Sequence, residues 1–156
     1  MAFLGEVIAL VSEAFAKDTD KGGRPYVLHC FAVMENTRHM GVTDDLYLAA
    51  AFAHDLGEDK PGYLPRLVQI AVKFNKPSLP VLVDHLSRRP GEPYDVFIDR
   101  IIATGDVKLI KTKKGDIKHN SSLTRLKGVT EKDFDRMATY QVSYVKLDEA
   151  QSKLEN

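Results

Sequence analysis

A histidine followed directly by an aspartate, His54-Asp55, closes an apolar run in AAAFAHDLGEDKPG, with Glu58 and Asp59 one helical turn later. The pair offers one neutral nitrogen and one hard oxygen to the same cation. That donor mix suits divalent transition metals and manganese better than calcium. Hydrolysis of a phosphate ester needs a Lewis acid beside the phosphate and a carboxylate to take a proton from water. Lys60-Pro61-Gly62 then ends the segment.

Two ligands do not hold a metal, so others must come from elsewhere in the chain. Five histidines are present: His29, His39, His54, His85 and His119. His29 lies in RPYVLHCFAVMENT among apolar helical neighbours, which turns its ring inward. Alone, such a ring is more often a core histidine bonded to a carbonyl. Asp116 follows a second apolar stretch in KLIKTKKGDIKHN, and an aspartate beside a glycine is by itself more often a helix terminus. On charge pattern alone, Glu58 and Asp59 are more often a solvated helix end; the adjacent His-Asp pair reverses that preference. Lys108, Lys111, Lys113, Lys114 and Lys118 stand against Asp106 and Asp116. Helical spacing puts Lys111, Lys114 and Lys118 on one face and Lys113 elsewhere, so several are simply solvated. Arg88 and Arg89 read equally well as the charged stop of a helix. His39 and His85 read as surface residues, and His119 as a group behind the ligands.

The elements that would carry these residues are helices divided by short breaker clusters. The periodicity predicts helices over 2–17, 25–40, 43–55, 63–74, 80–87, 94–104, 106–119 and 131–153. Pro25 suits a first helical turn, Thr43 with Asp44 and Asp45 opens the third helix, and Thr130 is an N-cap for the last. Apolar residues at 94, 97, 98, 101 and 102 form one stripe. Alternating runs and Asn-Gly or Asp-Gly hairpin signals are missing. The expectation is an all-α fold, a single domain over 1–156.

Composition sets the outer bounds. The 22 basic and 22 acidic residues cancel, so no global charge points to nucleic acid or a membrane surface. Hydrophobic residues make up 44% of the chain, enough for a real core. The single cysteine, Cys30, rules out an internal disulfide and a cysteine-based metal cluster, which fits a reducing cytoplasm. The N-terminal segment reads as a helix rather than a signal peptide, and no apolar run reaches the roughly 20 residues a membrane span needs.

His29, then His54-Asp55, then Asp116 is also the order of ligands in the HD phosphohydrolase superfamily, which the chain resembles. The closer resemblance is to the hydrolase domain of RelA/SpoT-type enzymes and the small alarmone hydrolases. KGGRPYVLHCFAV is similar to that family's first segment, with Lys21, Gly23, Pro25, Tyr26 and His29 in register. AAFAHDLGED matches its extended motif, and DHLSRRPGEPYDVFIDRI with VKLIKTKKGDIKHNSSL resembles its later segments, through Asp116 and Asn120. The likeness spans residues 17–127. It implies an HD-type helical bundle binding a divalent metal, manganese foremost, through His29, His54, Asp55 and Asp116. It further implies Glu58 and Asp59 as catalytic carboxylates that orient or deprotonate the attacking water, and Lys21, Tyr26 and Asn120 as substrate contacts. The implied activity removes the 3′-pyrophosphate of guanosine tetra- or pentaphosphate. The implied partner is thus a small phosphorylated nucleotide, while oligomeric state has no signature here. One departure stands out: Asp20 occupies the position of the family's guanine-stacking arginine. A carboxylate there removes a flat cation and adds repulsion toward a polyphosphate, which leaves another phosphorylated nucleotide, or binding without catalysis, as alternatives. Arg24 is a candidate to replace the missing cation.

Overall fold

The structure, a computed structural model, describes residues 2–156 and is built from helices. Among the described residues there is no strand, only an isolated antiparallel bridge between Thr19 and Pro25. In chain order come α1 (Phe3–Ala14), α2 (Val27–His39), α3 (Asp45–Phe52) and the single turn α4 (Leu56–Asp59). A 3-10 turn at Pro61–Tyr63 leads to α5 (Leu64–Lys73), α6 (Ser78–His85) and α7 (Tyr94–Ala103). Then follow α8 (Val107–Asn120), a 3-10 turn at Leu123–Arg125, and α9 (Glu131–Glu155). The all-α expectation holds, with shifted helix ends.

Two corrections fall on α3. Its N-cap is Asp44 rather than Thr43: the Asp44 backbone is extended and its carboxylate accepts from the Leu46 amide at 2.9 Å. The helix also stops at Phe52 instead of running through Asp55. The His54 ring takes the Ala51 carbonyl at 2.8 Å, the acceptor that a continuing helix would offer to the Asp55 amide. The chain therefore turns at His54-Asp55 and restarts as α4.

The second half of α3 is apolar on every face because it is buried on every face: Ala49, Ala50, Ala51 and Phe52, with Ala53 just after them, are wholly enclosed. It packs on α1, α2 and α6. α1 turns Phe3, Val7, Leu10, Val11 and Ala14 inward at helical spacing. α8 opens on Asp106, whose side chain accepts from the Leu109 amide at 3.1 Å and from the Tyr47 hydroxyl at 2.6 Å. It then crosses α2, its most extensive partner, and α9. Thr130 and Asp133 close a capping box on α9, as the sequence predicts for Thr130. No described helix is long and apolar enough to cross a membrane.

The crossing of α2 and α8 depends on Gly115. A Cβ there would stand 3.1 Å from Thr37 Oγ1, 3.2 Å from Asn36 Cβ and 3.2 Å from the Val33 carbonyl. The Asn36 amide uses that closeness to donate to the Gly115 carbonyl at 3.0 Å. Overpacking such a contact costs about 1–3 kcal/mol. Gly115→Val should therefore lower the unfolding free energy by about 1–3 kcal/mol, read as a lower urea midpoint, and an unchanged midpoint would show that the two helices do not need this approach.

Candidate metal centre

α2 brings His29, the break between α3 and α4 brings His54 and Asp55, and α8 brings Asp116 to one place. His29, His54 and Asp116 are buried, and their donor atoms all lie within 4.8 Å of one another. The two Nε2 atoms face each other at 3.2 Å. Asp116 Oδ1 is 3.1 Å from that of His29 and 3.3 Å from that of His54. Asp55 Oδ2 joins at 3.0 Å from His54 Nε2 and 3.6 Å from His29 Nε2. Metal–ligand bonds of about 2.0–2.2 Å set neighbouring donor atoms about 3.0–3.5 Å apart, so the spacing fits one cation.

The hydrogen-bond pattern assigns the protons. His54 donates from Nδ1 to the Ala51 carbonyl and keeps its Nε2 lone pair. His29 Nδ1 lies 2.7 Å from His119 Nδ1. Partial burial, with Arg125 and His29 nearby, lowers His119 to about 4, so it is neutral at pH 7. A neutral His119 can accept at Nδ1, and in that tautomer His29 donates from Nδ1 and turns its Nε2 lone pair to the cluster. Two lone pairs at 3.2 Å repel unless positive charge lies between them. His54 shows the same demand: burial opposes a charge on its ring, yet Asp55 and Asp116 raise its pKa well above the ordinary value. Donor types, spacing and charge balance all fit a divalent metal.

Other side chains hold the ligands still. The Tyr26 hydroxyl donates to Asp55 Oδ2. Burial, then the Asp55 charge, raise the Tyr26 pKa, so the phenol keeps its proton. Asn120 Nδ2 donates to Asp116 Oδ1 at 2.8 Å. Lys113, buried and one helical turn before Asp116, donates to Oδ2 at 2.7 Å. Burial works against the Asp116 charge, but Lys113 and His54 hold its carboxyl far below the usual range. The i, i+3 spacing of Lys113 and Asp116 was the available signal for this pair. Lys108, Lys111 and Lys114 are bound to Asp44, Glu155 and Asp148 respectively, which leaves Lys118 exposed.

Glu58 and Asp59 sit on the exposed turn α4 beside the cluster. Partial burial, Asp55 and Glu58 raise Asp59 to about 6. Glu58 is also raised by burial, against the pull of the Arg88 amide that donates to it. A cavity of about 230 Å³ adjoins the cluster, lined by Lys21, Tyr26, His29, Asn120, Arg125 and Tyr140 among others. A larger one of about 420 Å³ between α1 and α5 is lined by the surface pairs Glu6–Lys73 and Glu13–Arg66 and lies away from these residues.

The expected repulsion from Asp20 is answered by a residue the sequence did not single out. Asp20 Oδ1 accepts from the Gly22 and Arg24 amides, both at 2.9 Å, and Oδ2 accepts from Arg125 Nη2 at 3.0 Å. Asp20 is thus a paired loop anchor. The Gly22 contact is equally close: a Cβ there would lie 2.1 Å from the Arg125 carbonyl. Arg24 contributes its backbone, and its side chain is exposed. No local pattern links positions so far apart in the chain.

No family model matches the sequence, and no curated protein does. Among solved structures, the chain is similar to one described as a metazoan ortholog of SpoT that hydrolyzes ppGpp and plays a role in starvation responses. The match has a TM-score of 0.74 at 17% identity, over 99% of this chain and 94% of that one. The two chains share a fold. The helical bundle expected from the HD resemblance is therefore the architecture of this protein.

Removing the imidazole behind a ligating histidine typically costs 10–100-fold in metal affinity. His119→Ala should weaken manganese binding by about that factor in a calorimetric titration. Wild-type affinity in that variant would show that His29 needs no partner on Nδ1.

Proposed function

We propose that this protein is a metal-dependent phosphohydrolase that removes the 3′-pyrophosphate from guanosine tetra- or pentaphosphate, giving GDP or GTP and pyrophosphate. The observation that carries this reading is the convergence of His29, His54, Asp55 and Asp116 on one point, with Glu58 and Asp59 on the next turn. The fold shared with a SpoT ortholog described as hydrolysing ppGpp supports the choice of nucleotide. In this reading residues 1–156 work as one domain in the cytoplasm, on a small phosphorylated nucleotide rather than nucleic acid or membrane.

His29, His54, Asp55 and Asp116 would hold the cation, and mixed nitrogen and oxygen donors accommodate manganese. When bound, such an ion neutralises charge on the phosphate and makes water more acidic. The chain's own residues do the rest. Water adds to the phosphorus attached to the ribose 3′-oxygen, that oxygen leaves and takes a proton, and pyrophosphate departs. Asp59, raised to about 6, and Glu58 are bases matched to neutral pH for accepting the proton of the attacking water. Tyr26 and Asn120 orient Asp55 and Asp116 while facing the cavity, and Lys21 at its rim meets phosphate charge.

A second reading, hydrolysis of another phosphorylated nucleotide, is favoured by one observation. Asp20 stands where the resembled family carries a guanine-stacking arginine, and its carboxylate is committed to Arg125.

Incubation with manganese and guanosine tetraphosphate should release pyrophosphate and GDP in equal amounts. Orthophosphate from other nucleotides, with guanosine tetraphosphate untouched, would transfer the assignment to the second reading. Glu58→Gln should keep manganese affinity and lose turnover by roughly 10²–10⁴-fold; unchanged turnover would remove Glu58 from the reaction.

A further inference from the structure

The loop between α6 and α7 is tied more densely than a surface turn needs. Arg100, on α7, donates from Nη2 to the Ser87 carbonyl at 2.8 Å and from Nη1 to the His85 carbonyl at 3.2 Å. It also forks Glu92, through Nε to Oε2 and through Nη2 to Oε1, both at 3.0 Å. Arg89 gives the Ser87 carbonyl a second donor at 2.9 Å. The other end of that same peptide unit is the Arg88 N–H, and it donates to Glu58 Oε1. One peptide plane thus carries guanidinium charge on its oxygen and the Glu58 carboxylate on its hydrogen.

A second contact seats α4 on this loop. A Cβ at Gly57 would lie 2.5 Å from Ser87 Oγ, whose hydroxyl is fixed on the Val83 carbonyl at 2.8 Å. Cations at a carbonyl polarise its peptide and make the N–H a stronger donor. A carboxylate gripped by such a donor is held in one orientation. The Arg100–Glu92 fork is partly shielded from solvent, the Glu92 side chain being 10% exposed and that of Arg100 26%.

We propose that Arg100 is a positioning residue for hydrolysis: it fixes and polarises the Ser87–Arg88 peptide, and through it the carboxylate of Glu58. This rests on the role assigned to Glu58 above. A loop brace with no link to the chemistry would cost the same activity whether or not residue 58 carries a carboxylate.

The test is a double-mutant cycle. Arg100→Gln is compared with the wild type, and the same change is made in Glu58→Gln, with manganese, guanosine tetraphosphate and a thermal melt on each variant. Arg100→Gln should lower kcat on the order of tenfold, leave KM and manganese affinity near wild type, and add no loss in Glu58→Gln. Arg100→Lys, which keeps charge with fewer donors, should recover part of the rate. The Arg88 amide resonance should follow the titration of Glu58 in the wild type, and should move and titrate at higher pH in Arg100→Gln. Equal losses in both backgrounds, or an unmoved Arg88 resonance, would overturn the proposal. If Arg100→Gln fails to fold, Glu92→Gln, which loosens the same fork, carries the comparison. Full activity in Glu58→Gln alone would strike the catalytic assignment of Glu58. In that event the Arg88 resonance still decides whether Arg100 holds its carboxylate.

Discussion

Two imidazole lone pairs and two carboxylates stand within a few ångströms of each other in the interior of this bundle, and such a group is repulsive until positive charge enters it. Burial sharpens the demand, because a low local dielectric strengthens every like-charge contact. The chain supplies part of the charge itself, as Lys113 on Asp116 Oδ2. The remaining donor atoms point at a common space that no lysine or arginine among the described residues enters. Much of the surrounding structure follows from keeping those donors in place. Tyr26 and Asn120 hold the two aspartates, and Ala51 and His119 hold the two histidines.

The backbone pays its part at three places. α3 gives up its last turn so that His54 and Asp55 can face inward from one bend. α8 carries glycine beside Asp116 so that it can lie against α2, which carries His29. Gly22 lets the loop after α1 meet the loop after α8, where Asp20 and Arg125 close the far wall of the cavity. The two glycines bring their elements nearer to one another than ordinary side chains would permit.

The fold was largely legible in the sequence because helical periodicity and breakers act locally. The Tyr94–Ala103 stripe, the Thr130 cap and the all-α architecture needed no tertiary information. The end of α3 was not legible, since His54 competes for a backbone acceptor only once its ring is buried. Thr43 and Asp44 are both good caps, and backbone direction decided for Asp44. In the site, the adjacent His-Asp pair announced itself, and His29 and Asp116 became persuasive through their order along the chain. The partners joined across long separations stayed hidden: Asp20 with Arg125, and Glu58 with the Arg88 amide. Lys113 was hidden differently, within a run of lysines whose other members mostly serve the surface.

The central claim, that four side chains from three segments grip one cation, is open to direct spectroscopy. Manganese bound to the protein can be examined by pulsed electron paramagnetic resonance, which reads nitrogen atoms coordinated to the ion. One ion per chain with two imidazole nitrogens is expected, one of them lost in His29→Ala and one in His54→Ala. A bound ion without nitrogen coupling, or with coupling that survives both substitutions, would contradict it.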